Sequence, residues 1–431
     1  MSKKLIWLLM MVIPAITQAQ FNNVLKRTKD KVSNRVDTRV DKEIDKKLDE
    51  MEGKETAKAD TKTTEPSREA TTTTTTTASA PEPVKGFSKF DFVPGERIIY
   101  AEDFAQDAIG ELPLTWNSSG KGEIMTLNNQ SGKWLRAFQN NTYLTGNKKS
   151  FGENYTIEFD LMYFFEPKVK GYVLPGWQFG LFSSGAVEPS DNSFLKERSE
   201  TNSTEVKFGL GSYALAQLES KAKHVSTFRS DNMQLGEVLP TFNKVIHYSI
   251  QVQKTRFRLW INEQKVFDIP RAINTADTLN QVFFKMEGSN YKEDEIGLFI
   301  SNLKIATGIP DARHKLIEEG KFSTTGILFD VNAATIKPES NGVLKQISEV
   351  LKTNEGIKVK IIGHTDSDGT DAANLDLSKK RAESVKAALV KDWGIDASAM
   401  ETDGKGESNP VGDNKTKEGK AQNRRVEFVK L

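Results

Sequence analysis

The feature that most limits the fold of this chain is a long series of short segments in which polar and apolar residues alternate. The alternation is clear at 155–161 and 248–253, and 257–269 has the pattern of two strands joined by a polar turn. Because successive side chains of a β-strand point to opposite faces of a sheet, each segment predicts a strand with one buried face. Residues 87–308 are therefore predicted to form an all-β domain, and a β-sandwich is the favoured architecture.

Three stretches of this region are similar to the concanavalin-like jelly roll, at residues 102–116, 256–269 and 298–305. The resemblance implies two antiparallel sheets packed face to face. Alternation also fits an outer-membrane β-barrel, whose strands likewise bury one face. The barrel therefore stays open as an alternative.

The first 19 residues have the pattern of a secretory signal peptide. Lys3 and Lys4 precede an apolar run at 5–16, and Ala19 is the small residue at the end of the segment. This run is shorter than the roughly 20 residues that a membrane-spanning helix needs. We therefore expect residues 1–19 to direct export and to be removed.

Residues 20–53 are predicted to form a charged amphipathic helix. Val36, Val40, Ile44 and Leu48 recur every four residues, close to the helical turn of 3.6 residues, with charges of both signs around them. Two interpretations stay open, which are self-association through the central part of this helix, residues 24–52, and a solvated spacer.

Residues 54–86 are predicted to be a disordered linker. They include seven consecutive threonines and three prolines, and almost no large apolar side chain. Such a segment cannot bury enough apolar surface to offset the entropy that ordering would cost.

The composition excludes several classes of function. The chain contains no cysteine, which rules out disulfides, thiolate catalysis, cysteine-based metal sites and lipidation on an N-terminal cysteine. It has 60 Lys and Arg residues against 59 Asp and Glu residues, so no overall positive field favours nucleic acid as a partner. We expect no cofactor and no nucleic-acid partner.

Residues 322–431 mix strand and helix patterns, which predicts a small two-layer α/β domain. The predicted order is βαβαββ, with strands at 326–329, 357–362, 400–405 and 425–430, a helix that begins at Pro338, and a second helix that contains Leu377, Arg381, Val385 and Leu389.

Five motifs in this last region occur in one order. They are Phe329-Asp330-Val331-Asn332; Gly363-His364-Thr365-Asp366; Asn374, Leu377, Ser378, Arg381 and Ala382; Gly404, Gly406, Glu407 and Pro410; and Asn414, Thr416, Gly419 and 423–427. Together they span about 100 residues and resemble the OmpA-like peptidoglycan-binding domain of outer-membrane anchoring and Pal-type proteins.

The resemblance implies a site for the diaminopimelate residue of the peptidoglycan stem peptide. In that family an aspartate after the second strand and an arginine on the next helix bind this residue, and they match Asp366 and Arg381. The side-chain amides that the family also uses match Asn332 and Asn374. A carboxylate and a guanidinium complement the free end of diaminopimelate, which carries an ammonium beside a carboxylate.

Arg424 and Arg425 are secondary candidates for this site. Either of them could line the pocket or contact glycan, and the alternative for both is a structural salt bridge.

The function of residues 87–308 stays open between four hypotheses. Jelly-roll domains include glycoside hydrolases, and Glu158 and Asp160 share one strand face, as paired catalytic carboxylates would. The usual hydrolase pattern has a further glutamate just beyond, where this chain has Leu161 and Met162. A non-catalytic domain that binds glycan or an envelope protein is therefore favoured over a hydrolase, and a purely structural spacer stays open beside it. The barrel alternative predicts a porin with a periplasmic wall anchor.

We therefore predict a non-enzymatic protein of the periplasm, associated with the outer membrane and the cell wall. Its predicted partner is peptidoglycan, which it would bind non-covalently.

Overall fold

The computed structural model of the chain describes residues 90–211, 213–237 and 241–431. The predicted signal peptide (1–19), amphipathic helix (20–53) and linker (54–86) lie outside the described residues. None of the described helices is long and apolar enough to cross a membrane.

Residues 97–307 form two large sheets. The first has eight strands in the order β14-β13-β12-β6-β16-β4-β3, and β1 also pairs with β16. Its strands are β1 (Arg97–Glu102), β3 (Gly122–Leu127), β4 (Gln130–Ala137), β6 (Asn154–Phe165), β12 (Val245–Gln253), β13 (Arg256–Ile261), β14 (Gln264–Ile269) and β16 (Ile296–Thr307).

The second sheet also has eight strands, in the order β10-β9-β8-β7-β15-β5-β2, with β11 paired to β9. Its strands are β2 (Asn117–Ser118), β5 (Asn141–Leu144), β7 (Trp177–Phe182), β8 (Asn202–Leu210), β9 (Tyr213–Ala222), β10 (Val225–Arg229), β11 (Met233–Glu237) and β15 (Gln281–Met286). A short helix, α1 (Ser193–Lys196), lies between β7 and β8.

The inner faces of the two sheets share one hydrophobic core. Ile157 and Phe159 of β6 belong to the same buried cluster as Phe179 of β7 and Val206 of β8. Burial of each such side chain contributes about 1.5–3 kcal/mol, so the alternating pattern is also the energetic basis of the fold. The all-β prediction for this region is confirmed, and the jelly-roll resemblance stays a prediction.

The C-terminal part combines a third, four-stranded sheet with helices, as the sequence predicted. The sheet order is β17-β20-β18-β19, with β18 and β19 parallel. The elements are α2 (Ala312–Ile317), β17 (Lys321–Thr324), a 3₁₀ turn (Pro338–Ser340), α3 (Asn341–Thr353), β18 (Val359–Gly363), α4 (Asp371–Trp393), a second 3₁₀ turn (Ala397–Ala399), β19 (Met400–Gly404), α5 (Lys417–Asn423) and β20 (Val426–Lys430).

The strand predicted at 326–329 is wrong. The strand in this position is β17, which ends at Thr324, and the segment that follows satisfies its backbone groups elsewhere. The Gly326 amide donates to Oγ1 of Thr324 at 3.1 Å, and the Leu328 amide donates to Oγ of Ser340 at 2.8 Å. Because this segment leaves the sheet as a loop, Phe329 is free to contact helix α4.

Helix α5 docks the C-terminal part onto strand β1. The Nζ atom of Lys417 lies 2.6 Å from Oε1 of Glu102 and 2.8 Å from Oδ2 of Asp107. Gln422 accepts a hydrogen bond from the Ile98 amide at 2.8 Å. Burial acts to raise the pKa of Glu102 and outweighs the opposing effect of Lys417. The ion pair is therefore embedded in the interface.

A second contact joins the start of the described chain to both regions. Phe90 and Phe92 pack against Trp260 of β13. The carbonyl oxygen of Phe92 lies so close to Gly342 of α3 that a Cβ atom there would collide with it. These contacts place the outer face of the first sheet against the C-terminal domain.

Candidate functional site

A cavity of about 640 Å³ lies between the outer face of the first sheet and the C-terminal domain. All six residues that the sequence analysis selected line it. They are Asn332, Asp366, Asn374, Arg381, Arg424 and Arg425.

Asp366 lies in the loop after β18, and each of its two carboxylate oxygens accepts a hydrogen bond. Oδ2 accepts from Nη1 of Arg424 at 2.5 Å, and Oδ1 accepts from the Asp368 amide at 3.1 Å. The residue is only 7% exposed, yet it lines the cavity. A carboxylate oxygen has two lone pairs, so these contacts leave acceptor capacity on the side chain.

Arg381 projects from α4, which begins after Thr370; the Thr370 hydroxyl caps the helix by accepting from the Ala373 amide. Nε of Arg381 donates to the Ala333 carbonyl at 3.0 Å, and the guanidinium lies 4.9 Å from the ring centroid of Phe329. These two contacts orient the side chain. Its terminal amino groups form no hydrogen bond with any described residue, so they can donate to a ligand.

Arg381 and Asp366 face one cavity without pairing to each other. Among the described residues, no ion pair joins them, and Asp366 is paired with Arg424 instead. Burial is the main cause that lowers the pKa of Arg381; Arg424 lowers it further, and Asp366 opposes the shift. A carboxylate added next to Arg381 would therefore stabilise the charged form of its guanidinium.

The two predicted amides differ in their setting. Asn374 lies two helical turns before Arg381 on the same face of α4. It is buried, and its Nδ2 donates to the Asp366 carbonyl at 3.3 Å and to Oε2 of Glu407 at 2.5 Å. Asn332 is exposed and has a φ of 54°, a left-handed conformation that asparagine tolerates better than most residues.

The two candidate arginines also differ in their contacts. Arg424 pairs with Asp366 and lies 3.8 Å from Oδ2 of Asp103 in the β1–β2 loop. Arg425 is buried, with Nε and Nη2 2.9 and 2.8 Å from Oε1 of Glu427, and it also donates to the Asn409 carbonyl. Arg425 therefore has the contacts of a structural ion pair, and Arg424 those of a pocket residue.

Glu158 and Asp160, the carboxylates considered for hydrolysis, lie on the opposite side of the same interface. Nζ of Lys304 is 3.0 Å from Oε2 of Glu158. Nδ1 of His247 is 2.6 Å from Oδ1 of Asp160, whose Oδ2 accepts from Asn302 at 2.7 Å. Both carboxylates are nearly fully buried, so neither is a free group that faces solvent.

The His247–Asp160 pair is expected to make the stability of the interface depend on pH. Burial acts to lower the pKa of His247, but contact with Asp160 and the charges of Glu158 and Glu339 outweigh it, so the pKa is raised above 6.5. Burial acts to raise the pKa of Asp160, but His247 and Asn302 outweigh it, so this pKa falls below 3.8.

The contribution of His247 is therefore complete below pH 6.5 and is lost as the pH rises through the raised pKa. That of Asp160 is complete above pH 3.8 and is lost on acidification. Urea unfolding between pH 6 and pH 9 should show that His247→Gln flattens this part of the stability profile. The substitution itself should cost roughly 3 kcal/mol, because it leaves a buried carboxylate unpaired. Parallel profiles for the two proteins would contradict the assignment.

Several residues of this site could not be recognised from the sequence. Phe329 belongs to one of the five motifs, but the motif does not predict that its ring contacts Arg381. That contact exists because residues 325–329 form a loop. Glu407 also lay within a motif and holds Asn374. No local signal identified the opposite wall, where Asp103 and Lys133 line the cavity.

Comparison with known proteins agrees with the fold of the C-terminal part. Residues 328–424 match the model of the OmpA family. The chain is 46% identical to the probable lipoprotein YiaD of Escherichia coli over 103 residues, which cover 24% of this chain and 47% of that protein. It is 32% identical to the outer-membrane lipoprotein YfiB of Pseudomonas aeruginosa over 167 residues, which cover 37% of this chain and 97% of that protein.

A solved structure, the peptidoglycan-associated lipoprotein from Burkholderia pseudomallei, is 32% identical, with a TM-score of 0.23 and coverage of 25% of this chain and 89% of that chain. The chain spans about half the length of the Escherichia coli relative and nearly the whole of the Pseudomonas aeruginosa lipoprotein. Through its C-terminal domain, the chain belongs to the OmpA family.

Proposed function

We propose that the C-terminal domain binds peptidoglycan non-covalently by holding the free end of its diaminopimelate residue. The observation that carries this proposal is that Asp366 and Arg381 line one cavity without pairing to each other. The ligand end carries one ammonium and one carboxylate. The Arg381 amino groups would donate to the carboxylate, and Asp366 would accept from the ammonium.

The amides and the second arginine complete the site. Asn374 fixes the loop of Asp366 through the hydrogen bond to its carbonyl. Arg424 holds the Asp366 carboxylate in place, and Asn332 lies on the exposed rim, where it can reach the ligand backbone. Each charge-assisted hydrogen bond contributes about 1.5–3 kcal/mol, against association costs of several kcal/mol.

This balance predicts weak binding at one site and firm retention on a wall that offers many copies of the ligand. The function is that of an envelope anchor without catalysis. The proposed function and the likeness to an outer-membrane lipoprotein support a location in the periplasm, associated with the outer membrane and the cell wall.

The ligand can be tested by competition. Purified peptidoglycan that contains diaminopimelate is expected to retain the mature chain, and free meso-diaminopimelate should release it. The tripeptide L-Ala-γ-D-Glu-L-Lys should not, because its lysine side chain ends in an ammonium alone and leaves Arg381 without a partner. Peptidoglycan with lysine in place of diaminopimelate serves as the matched control. Equal retention on both kinds of peptidoglycan would refute recognition of diaminopimelate.

A further inference from the structure

The cavity is larger than the ligand end that the proposed function places in it. Its volume of about 640 Å³ lies within the range of roughly 300–1,000 Å³ typical of small-molecule sites. One carbon that carries an ammonium and a carboxylate occupies only a small part of this space. The cavity therefore has room for the neighbouring part of the stem peptide.

The β-sandwich wall of the cavity presents a lysine with donor capacity to spare. Lys133 lies on β4 and is half-buried. Its Nζ donates to the Ala105 carbonyl at 3.0 Å and to the Asp107 carbonyl at 2.7 Å. An ammonium has three N–H donors, so the third remains. The two carbonyl contacts hold this charge in place before any ligand arrives.

Lys133 differs from other interface lysines in its partners. Lys304 pairs with Glu158, and Lys417 pairs with Glu102 and Asp107. Within the described ranges, no carboxylate forms an ion pair with Lys133. The hydrogen-bond partners of its ammonium are two neutral carbonyl groups, which favours an incoming carboxylate.

The facing walls also hold buried polar atoms without hydrogen-bond partners in the described chain. They are Oγ1 of Thr365 in the C-terminal domain and Nε2 of His247 in the sandwich, and both residues line the cavity. The His247 atom lies 3.8 Å from Oε2 of Glu158, so its charge has a partner within the sandwich. Buried polar groups are normally satisfied. Of the two, the Thr365 hydroxyl is the atom whose hydrogen bond a polar ligand in the cavity would supply.

We propose that the cavity is a composite stem-peptide site, in which Lys133 of the β-sandwich binds the carboxylate of the glutamate next to diaminopimelate. This inference rests on the proposed function, because Asp366 and Arg381 hold the other end of the ligand. Docking of α5 on β1 sets the distance between the two walls. The site is thus organised before binding, which reduces the entropy lost on association.

Calorimetric titration of the mature full-length chain with three soluble probes tests the proposal. The probes are free meso-diaminopimelate, the tripeptide L-Ala-γ-D-Glu-meso-diaminopimelate, and the same tripeptide with the glutamate carboxylate converted to an amide. We expect the acidic tripeptide to bind about tenfold more tightly than its amide, which corresponds to about 1.4 kcal/mol. Lys133→Gln should abolish this preference. Lys121→Gln, on the exposed sandwich surface and paired with Glu293, is the matched control.

The outcomes separate the two proposals. If the wild-type chain binds all three probes equally and Asp366→Asn weakens that binding, the composite site is refuted and the proposed function stands. If the wild-type chain binds neither the probes nor diaminopimelate-containing peptidoglycan, both are refuted. The comparison of acid with amide uses the unaltered protein, so it decides the question even if Lys133→Gln does not fold.

Discussion

Asp366→Asn is expected to weaken binding to diaminopimelate-containing peptidoglycan by roughly 10- to 100-fold, the loss of one charge-assisted contact to an ammonium. Asparagine has nearly the same shape and keeps one carbonyl oxygen, so the loop should retain its course. The lost charge is the one that neutralises the ligand ammonium. A pull-down with purified peptidoglycan over a range of protein concentrations measures the effect.

The substitution also removes the charge partner of Arg424, so the control must exclude an indirect effect. Asp376→Asn is matched to it. Asp376 is an exposed carboxylate on α4 that pairs with Lys380 at 2.7 Å, outside the cavity. The Asp376→Asn variant should bind peptidoglycan as tightly as the wild type does. Arg381→Ala is expected to reproduce the loss from the other side of the ligand, and retained binding in both Asp366→Asn and Arg381→Ala would exclude this site.

Gly363→Ala is expected to destabilise the C-terminal domain by roughly 3 kcal/mol, in the upper part of the range for overpacked sites. A Cβ atom at this position would collide with the carbonyl oxygen of Ser378, and it would lie 2.9 Å from the carbonyl carbon. Both atoms belong to the backbone of α4, which cannot rotate away. Strand β18 and helix α4 would have to separate.

The same separation would displace the site, because Asp366 follows β18 and Arg381 lies on α4. The variant should therefore lose peptidoglycan binding as well as stability. Urea unfolding gives the stability, with Gly209→Ala as the control, since a Cβ atom there meets nothing closer than 4.0 Å. If the Gly363→Ala protein were as stable as the wild type, β18 and α4 would not be packed closely enough to exclude a Cβ atom at this position.

Local sequence determined the all-β class of the sandwich region and the mixed α/β class of the C-terminal domain, and it selected the candidate site residues. The alternation at 155–161 selects the inward and outward faces of β6, since side-chain direction in a strand has a period of two residues. The spacing of Asn374 and Arg381 places both on one face of α4. The motifs in 329–427 identified the OmpA family before any coordinates, because they mark the positions where that fold requires a turn, a close approach or a charged side chain.

The structure alone decided what lies opposite the site. The strand predicted at 326–329 became a loop, because Ser340 and Thr324 supply the hydrogen bonds that a neighbouring strand would have supplied. The cavity and its second wall arise because α5 docks on β1. One of the contacts between them joins Lys417 to Glu102, and these two residues are 315 positions apart in the sequence. Periodicity and motifs report only neighbours along the chain, whereas the meeting of Lys133 and Arg381 at one cavity depends on the packing of two separate cores.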